Sequence, residues 1–352
     1  MRSLIITLVA ATSISAQSLS SRIASAPDGV VRMQFDARPG TCGDGRDMVG
    51  YRHALFMRDM QSFGKWSAPR CVPGPLRVTL SVDRGEVVRV RTQVGGDWPS
   101  TSGRATDLGD VSSREASAYL FSLVPRLETS GGKDRLLIPA VLADDAEVVQ
   151  PLIALARDAD RANNTRRSAV MWLGIVGDAS VVPVLVAIAR ESDGQKKDLG
   201  GTAMAALSTL EDGVGVPALI DLAHAPNLET RRSAVFWLGQ NGDPRALRTL
   251  NEVIANEKED ERVRSHAIFS LSQAGEAATS DLVRIYRDID NRRLREQTIF
   301  GLSQRSDDAA TDELIRIARE DKDRELRSKA LFWLAQKDDP RVRKLISDII
   351  LR

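Results

Sequence analysis

The side chains in this chain that could do chemistry are few and scattered. Its three histidines, His53, His224 and His266, fall in different segments, so none stands at metal-ligand or acid–base spacing from another. His266 falls on the outward side of its helix and is expected to be solvated rather than a base. No Gly-x-Ser-x-Gly, Gly-Lys-Ser, Gly-Lys-Thr or His-Glu-x-x-His run occurs, which removes the local signatures of a serine nucleophile, a phosphate loop and a zinc protease. The acid pairs Asp144-Asp145, Asp307-Asp308 and Asp338-Asp339 fall in turns, where helix capping explains them better than proton transfer. Asp44, Gly45 and Asp47 lack the full spacing of a calcium loop and read as a turn. Cys42 and Cys71 are the only cysteines. They form no Cys-x-x-Cys and supply too few ligands for zinc, so one disulfide closing a loop of about thirty residues is expected. No catalytic residue, metal or cofactor is expected.

Binding chemistry is better represented, in three columns that recur along the second part of the chain. Leu142, Leu173, Leu207, Leu238, Leu271, Leu302 and Leu334 are separated by 31, 34, 31, 33, 31 and 32 residues. Seven residues before these leucines stand Arg135, Arg166, Gly200, Arg231, Arg264, Arg295 and Arg327, and five after them Glu147, Asp178, Asp212, Asp243, Glu276, Asp307 and Asp339. An arginine column alone would suit a phosphate track. Matched with an acid column it predicts a structural ladder, in which each acid caps a helix and pairs with an arginine of its own or the next unit. The ladder residues are Arg166, Asp178, Arg231, Asp243, Arg264, Glu276, Arg295, Asp307, Arg327 and Asp339.

The third column is aromatic. Two residues before the leucine stand Phe236, Phe269, Phe300 and Phe332 in four successive units, where earlier units carry Ala140, Met171 and Ala205; two residues after it the same four units carry Gln240, Gln273, Gln304 and Gln336. At 100° per residue these positions lie about 160° and 200° from the leucine, so each Phe and Gln are neighbours on the side of the helix away from the core. Trp172, Trp237 and Trp333 stand beside them, one residue before the leucine. Two readings follow. Either the rings bury laterally against the next unit, with the amides bonded along the column, or they form an exposed strip that grips an extended polypeptide.

Repeating helices must hold such columns. Arg166 to Leu173, Arg231 to Leu238 and Arg327 to Leu334 are copies of one unit. A period near 32 residues with two helical patterns per unit means a helical-hairpin solenoid. Each unit has an A helix ending at the marker leucine, a turn such as Val176-Gly177-Asp178 or Asn241-Gly242-Asp243-Pro244, and a B helix. Glycine closes helix A, the acid caps helix B, and Pro244 and Pro340 open helix B. The unit resembles the HEAT-repeat family, in particular the short bacterial HEAT-like repeats of phycobilisome lyases, over residues 133–352. The resemblance implies a scaffold or adaptor, and occasionally an enzyme. Iron-dependent hydroxylases built on such repeats use His-Glu pairs, and this chain has none.

Ahead of the repeats the period changes. Val31 to Asp36, Leu76 to Val82 and Val87 to Thr92 alternate apolar and polar, with a hairpin turn at Asp83-Arg84-Gly85-Glu86. A small disulfide-braced β or α+β domain is expected at 17–111. Ser112 to Glu115 reads as a capping box, opening a connecting helix at 112–132, with the solenoid at 133–352. The fold class is thus mainly α, about seven HEAT-like repeats behind a small β-containing domain. Met1-Arg2-Ser3 followed by Leu4 to Ala11 reads as a signal peptide at 1–16, so the mature protein is expected to be exported, periplasmic or secreted.

The chain has 352 residues, and aromatics make up only 5% of them. Lys plus Arg number 49 against 48 Asp plus Glu, and loss of Arg2 with the leader makes the balance zero. That balance excludes bulk capture of nucleic acid or anionic membrane, and no segment is long and apolar enough to span a bilayer. The expected function is an exported, non-enzymatic protein- or peptide-binding scaffold whose partner face is Phe236, Trp237, Gln240, Phe269, Gln273, Phe300, Gln304, Phe332, Trp333 and Gln336. A bilin-lyase-type enzyme or chromophore-binding protein, or a purely structural envelope scaffold, are the alternatives. The partner's identity and the oligomeric state are not legible.

Overall fold

The computed structural model describes residues 17–46, 48–51, 54–56, 71–101, 103–128, 136–191, 199–274, 278–343 and 345. The segment 1–16, expected to be a signal peptide, lies outside them, as do His53, Arg135 and Glu276. Among the described residues, those up to Pro151 together with Asp160–Thr165 form one compact body, and Leu152–Ala159 with those from Arg166 onward form another.

The first body is α+β. Its strands are β1 (Gly29–Phe35), β2 (Thr41–Gly43), β3 (Val49–Tyr51), β4 (Ala54–Phe56), β5 (Leu76–Asp83), β6 (Glu86–Val94) and β7 (Ala105–Asp110), accompanied by α1 (Leu19–Ala24), α2 (Ser113–Leu127) and α3 (Leu137–Val141). One sheet runs β6-β5-β1-β7 and a smaller one β2-β3-β4. The β5–β6 hairpin turns where Arg84 and Gly85 both take positive φ, at 52° and 75°, the geometry that a two-residue hairpin loop demands. Alternation decides the faces. Val31, Met33 and Phe35 of β1 and Leu76, Val78, Leu80 and Val82 of β5 point into a core shared with Leu19, Ile23, Leu120, Leu123 and Val124. Thus α2, capped by Ser112, packs within this body as well as leading out of it. Its Ser117 hydroxyl donates to the Ala140 carbonyl of α3 at 2.7 Å.

Cys42 and Cys71 are joined, with Cα atoms 5.1 Å apart, and Gly43 and Val72 exchange backbone hydrogen bonds beside them. Asp44 makes an ordinary turn, accepting from the backbone N–H of Arg46 and Met48. Two elements escaped the periodicity. Helix α1 is too short to show a helical period, and β7 is polar and pairs in parallel with β1 at the sheet edge, so it needs no apolar alternation.

The remaining helices are α4 (Val149–Arg157), α5 (Asn163–Val176), α6 (Val182–Arg190), α7 (Gly200–Thr209), α8 (Val216–Leu222), α9 (Leu228–Asn241), α10 (Pro244–Ala255), α11 (Glu261–Gln273), α12 (Ala278–Asp288), α13 (Arg292–Ser303), α14 (Asp308–Glu320) and α15 (Arg324–Leu334), with helix resuming at Pro340. All seven marker leucines are fully buried, each stabilising the fold by about 2 kcal/mol. The turn after α9 follows the expected chemistry. Gly242 takes φ +74° past the helix end, Asp243 caps α10 through the Arg245 N–H, and Pro244 is its first residue.

Successive A helices pack side by side because the position after the marker leucine is small. A side chain on Gly239 of α9 would meet the Ser270 backbone of α11, and one on Gly174 of α5 the Ala206 backbone of α7, both within 2.7 Å. Bulk is excluded there by the closeness of the two backbones.

Among the described residues the column acids do not pair with the column arginines. The acids do cap helices: Asp178 accepts from the Ser180 N–H, Asp307 from Ala310 and Asp339 from Arg341. Their ionic partners are arginines two residues on, Asp243 with Arg245 and Asp339 with Arg341, except that Asp307 faces Arg305. The column arginines reach backward instead, to the end of the preceding B helix. Arg166 donates to Ala156 O, Arg231 to Ala225 O, Arg264 to Ile254 O, Arg295 to Tyr286 O and Arg327 to Asp321 O. Cations belong there, because the last carbonyls of a helix lack internal donors and carry the negative end of its dipole. Arg231 also pairs with Glu259 and Arg295 with Asp321.

Candidate functional site

The strip expected on the A helices lies on α9, α11, α13 and α15, all in the second body. With the marker leucine of each helix pinned in the core, the phenylalanines and glutamines are turned away from it. Phe236, Phe269 and Phe300 are half-buried, Gln240, Gln273, Gln304 and Gln336 are exposed, and Phe332 is 60% exposed. Trp237 and Trp333 are half-buried, whereas Trp172, in the earlier unit without phenylalanine, is buried in the core.

The rings cover one another in part. Phe300 lies 5.2 Å from Trp333 of the next unit, and Trp333 lies 5.1 Å from Phe332, edge to face. Phe236 and Trp237 make the same edge contact at 5.1 Å. Both expected readings are therefore met halfway: the following unit's tryptophan shields Phe300, while Phe332 keeps most of its surface in solvent. The amides are not bonded along the column. The Gln273 and Gln304 side chains donate to the adjacent Ser272 and Ser303 hydroxyls at 3.4 and 3.1 Å. Those serines in turn donate to the Phe269 and Phe300 carbonyls, and both glutamines are exposed.

One helical turn before the rings, polar pairs tie neighbouring A helices. Lys329 of α15 bonds Glu296 of α13 at 3.3 Å, and Arg232 of α9 donates to His266 Nε2 of α11 at 2.9 Å. His266 is thus half-buried and bonded rather than solvated. Burial, then the charge of Arg232, push its pKa below the ordinary histidine value. A neutral ring accepting at Nε2 carries its proton on Nδ1, which has no partner. Among the described residues no group of three or more His, Cys, Asp or Glu side chains could hold a metal, and no helix is long and apolar enough to cross a membrane.

Comparison with known proteins bears on these stacked hairpins. Residues 216–303, from the first residue of α8 to the last of α13, match the family model described as HEAT repeats. That stretch of the chain consists of HEAT repeats. The chain's fold is similar to the complex of CpcE and CpcF of phycocyanin lyase from Nostoc sp. PCC7120, at 20% identity and TM-score 0.34 over 53% of this chain and 75% of that one. It is likewise similar to human deoxyhypusine hydroxylase, at 18% and 0.29 over 54% and 84%. A designed armadillo repeat protein in complex with the peptide (KR)4 aligns at 13% and 0.31 over 54% and 98%. No curated protein sequence matches the chain.

Within the HEAT units, sequence reasoning missed the small column after the marker leucine, Gly174, Ser208, Gly239, Ser272, Ser303 and Ala335. It is what lets ring-bearing helices approach and orients two of the amides. Its signal was present, since no large side chain occurs at that position in these six units.

Proposed function

We propose that this HEAT-repeat protein is an exported, non-enzymatic scaffold that binds an extended polypeptide across α9, α11, α13 and α15. The observation carrying this reading is Phe332, which is 60% exposed and adjoins the Trp333–Phe300 stack and the outward amides of Gln304 and Gln336. Partly exposed aromatics supply contact area at small entropic cost, and fixed amides supply hydrogen bonds to a peptide backbone. The bonded cysteines favour an oxidising compartment, in keeping with a leader at residues 1–16.

Selection of a displayed random peptide library on the purified chain tests it. Recovered peptides should bind Phe332→Ser about tenfold more weakly, with the thermal midpoint unchanged. Equal binding to the variant would place their site elsewhere and remove this face as the partner surface.

A further inference from the structure

The outward face of the first body's larger sheet is basic on one side. On β1, Val31, Met33 and Phe35 point inward, so Arg32 and Gln34 point outward. The register places Arg77, Thr79 and Ser81 of β5 on that face, opposite Gln93, Arg91 and Arg89 of β6. Four arginines thus share three adjacent strands. Arg32 donates to the Pro99 carbonyl, Arg77 donates to Gln34 Oε1, and both guanidinium groups stack on Trp98 at 5.4 and 5.3 Å. Arg89 and Arg91 are exposed. None of the four bonds a carboxylate among the described residues. Of the acids on the same face, Asp83 stands at the hairpin end of β5, paired with Arg84, and Asp107 and Asp110 stand on β7 at the other edge of the sheet, with Asp110 already accepting from Gln34.

We infer that this face binds an acidic, extended polypeptide segment along β6, a second interaction surface independent of the aromatic strip. Among the described residues β6 is an edge strand of its sheet, hydrogen-bonded to β5 and approached by β2 at its Val94 end, so its outer backbone groups at Arg89 and Arg91 can pair with an added strand. Arg89 and Arg91, two residues apart, present charges about 7 Å apart along the edge, which is the repeat of same-face carboxylates in an extended chain. Single-stranded nucleic acid fits less well, because it needs free rings to stack its bases and Trp98 is held by two guanidinium groups. A bilayer surface fits less well too, because Thr79 and Ser81, not apolar side chains, stand between the arginines.

The test uses the full chain and a short fluorescent peptide alternating glutamate and threonine. Its comparators are a peptide of the same composition with the glutamates in one block, a single-stranded oligonucleotide and phosphatidylglycerol vesicles. The alternating peptide should bind best, slow hydrogen exchange at β6 amides, and bind Arg89→Glu/Arg91→Glu about tenfold more weakly. Its affinity should also fall as salt is raised. Should that variant lose its circular-dichroism spectrum, Arg89→Gln/Arg91→Gln takes its place. Equal binding of the two peptides, tighter binding of oligonucleotide or vesicles, undiminished affinity in the folded variant, or no peptide binding would each overturn the inference.

Discussion

Arginines of the repeat column and arginines of the outer sheet face come from one composition but do opposite things. Arg166, Arg231, Arg264, Arg295 and Arg327 all end on backbone carbonyls at the close of the preceding helix. Arg89 and Arg91 end in solvent. The residue type is the same and so is the charge; only the company differs. An arginine with its acceptors supplied by its own chain is part of the framework, and one left without them is free to meet a partner.

The largest effect expected from breaking that contrast is at Arg295. Its replacement by alanine removes the donor to Tyr286 O and leaves the buried Asp321 carboxylate without its ion pair, held by the Tyr286 hydroxyl and the Asp323 N–H alone. A loss of about 3 kcal/mol follows, read as a lower urea midpoint, and an unchanged midpoint would show the pair to be idle. Acid comes next. Arg341 holds the Asp339 carboxyl at about 2, and Arg245 lowers Asp243. Asp178, Asp260, Asp307, Glu313 and Asp321 are lowered too, so the second body has seven lowered carboxyls, against Asp28 alone in the first among the described residues. A carboxyl whose folded pKa lies below its unfolded value makes the unfolded chain bind protons first. Its stabilisation is complete above about pH 4 and is lost as pH falls toward 2. Hydrogen exchange should therefore speed up in α9 to α15 before it does in β5 and β6; simultaneous loss would contradict the asymmetry. The smallest effect belongs to the sheet: Arg89→Ala with Arg91→Ala should move stability by less than about 0.5 kcal/mol. A larger drop in the thermal midpoint would mean these arginines are framework after all.

Much of the fold was legible because its signals are carried by side chains. Marker leucines, the Gly-Asp turns, the cysteine pair and the Arg84-Gly85 hairpin are visible as residue types at fixed spacing, and the seven leucines are buried as their period requires. The partners of the arginine column were not legible, because their acceptors are backbone carbonyls, present at every residue and marked by none. The same reason hid β7, which owes its place to pairing with β1 rather than to apolar residues. At the candidate site the rings and amides were located by position. How far each ring is covered depended on the next unit's tryptophan, a contact that spacing alone does not fix. His266 was misread because its bond crosses to Arg232 on a neighbouring helix.

The backward reach of the column arginines also bears on how such an array changes length. Each A helix that starts with its arginine brings the group that finishes the helix before it, so a duplicated or deleted stretch of one whole period leaves every junction sealed.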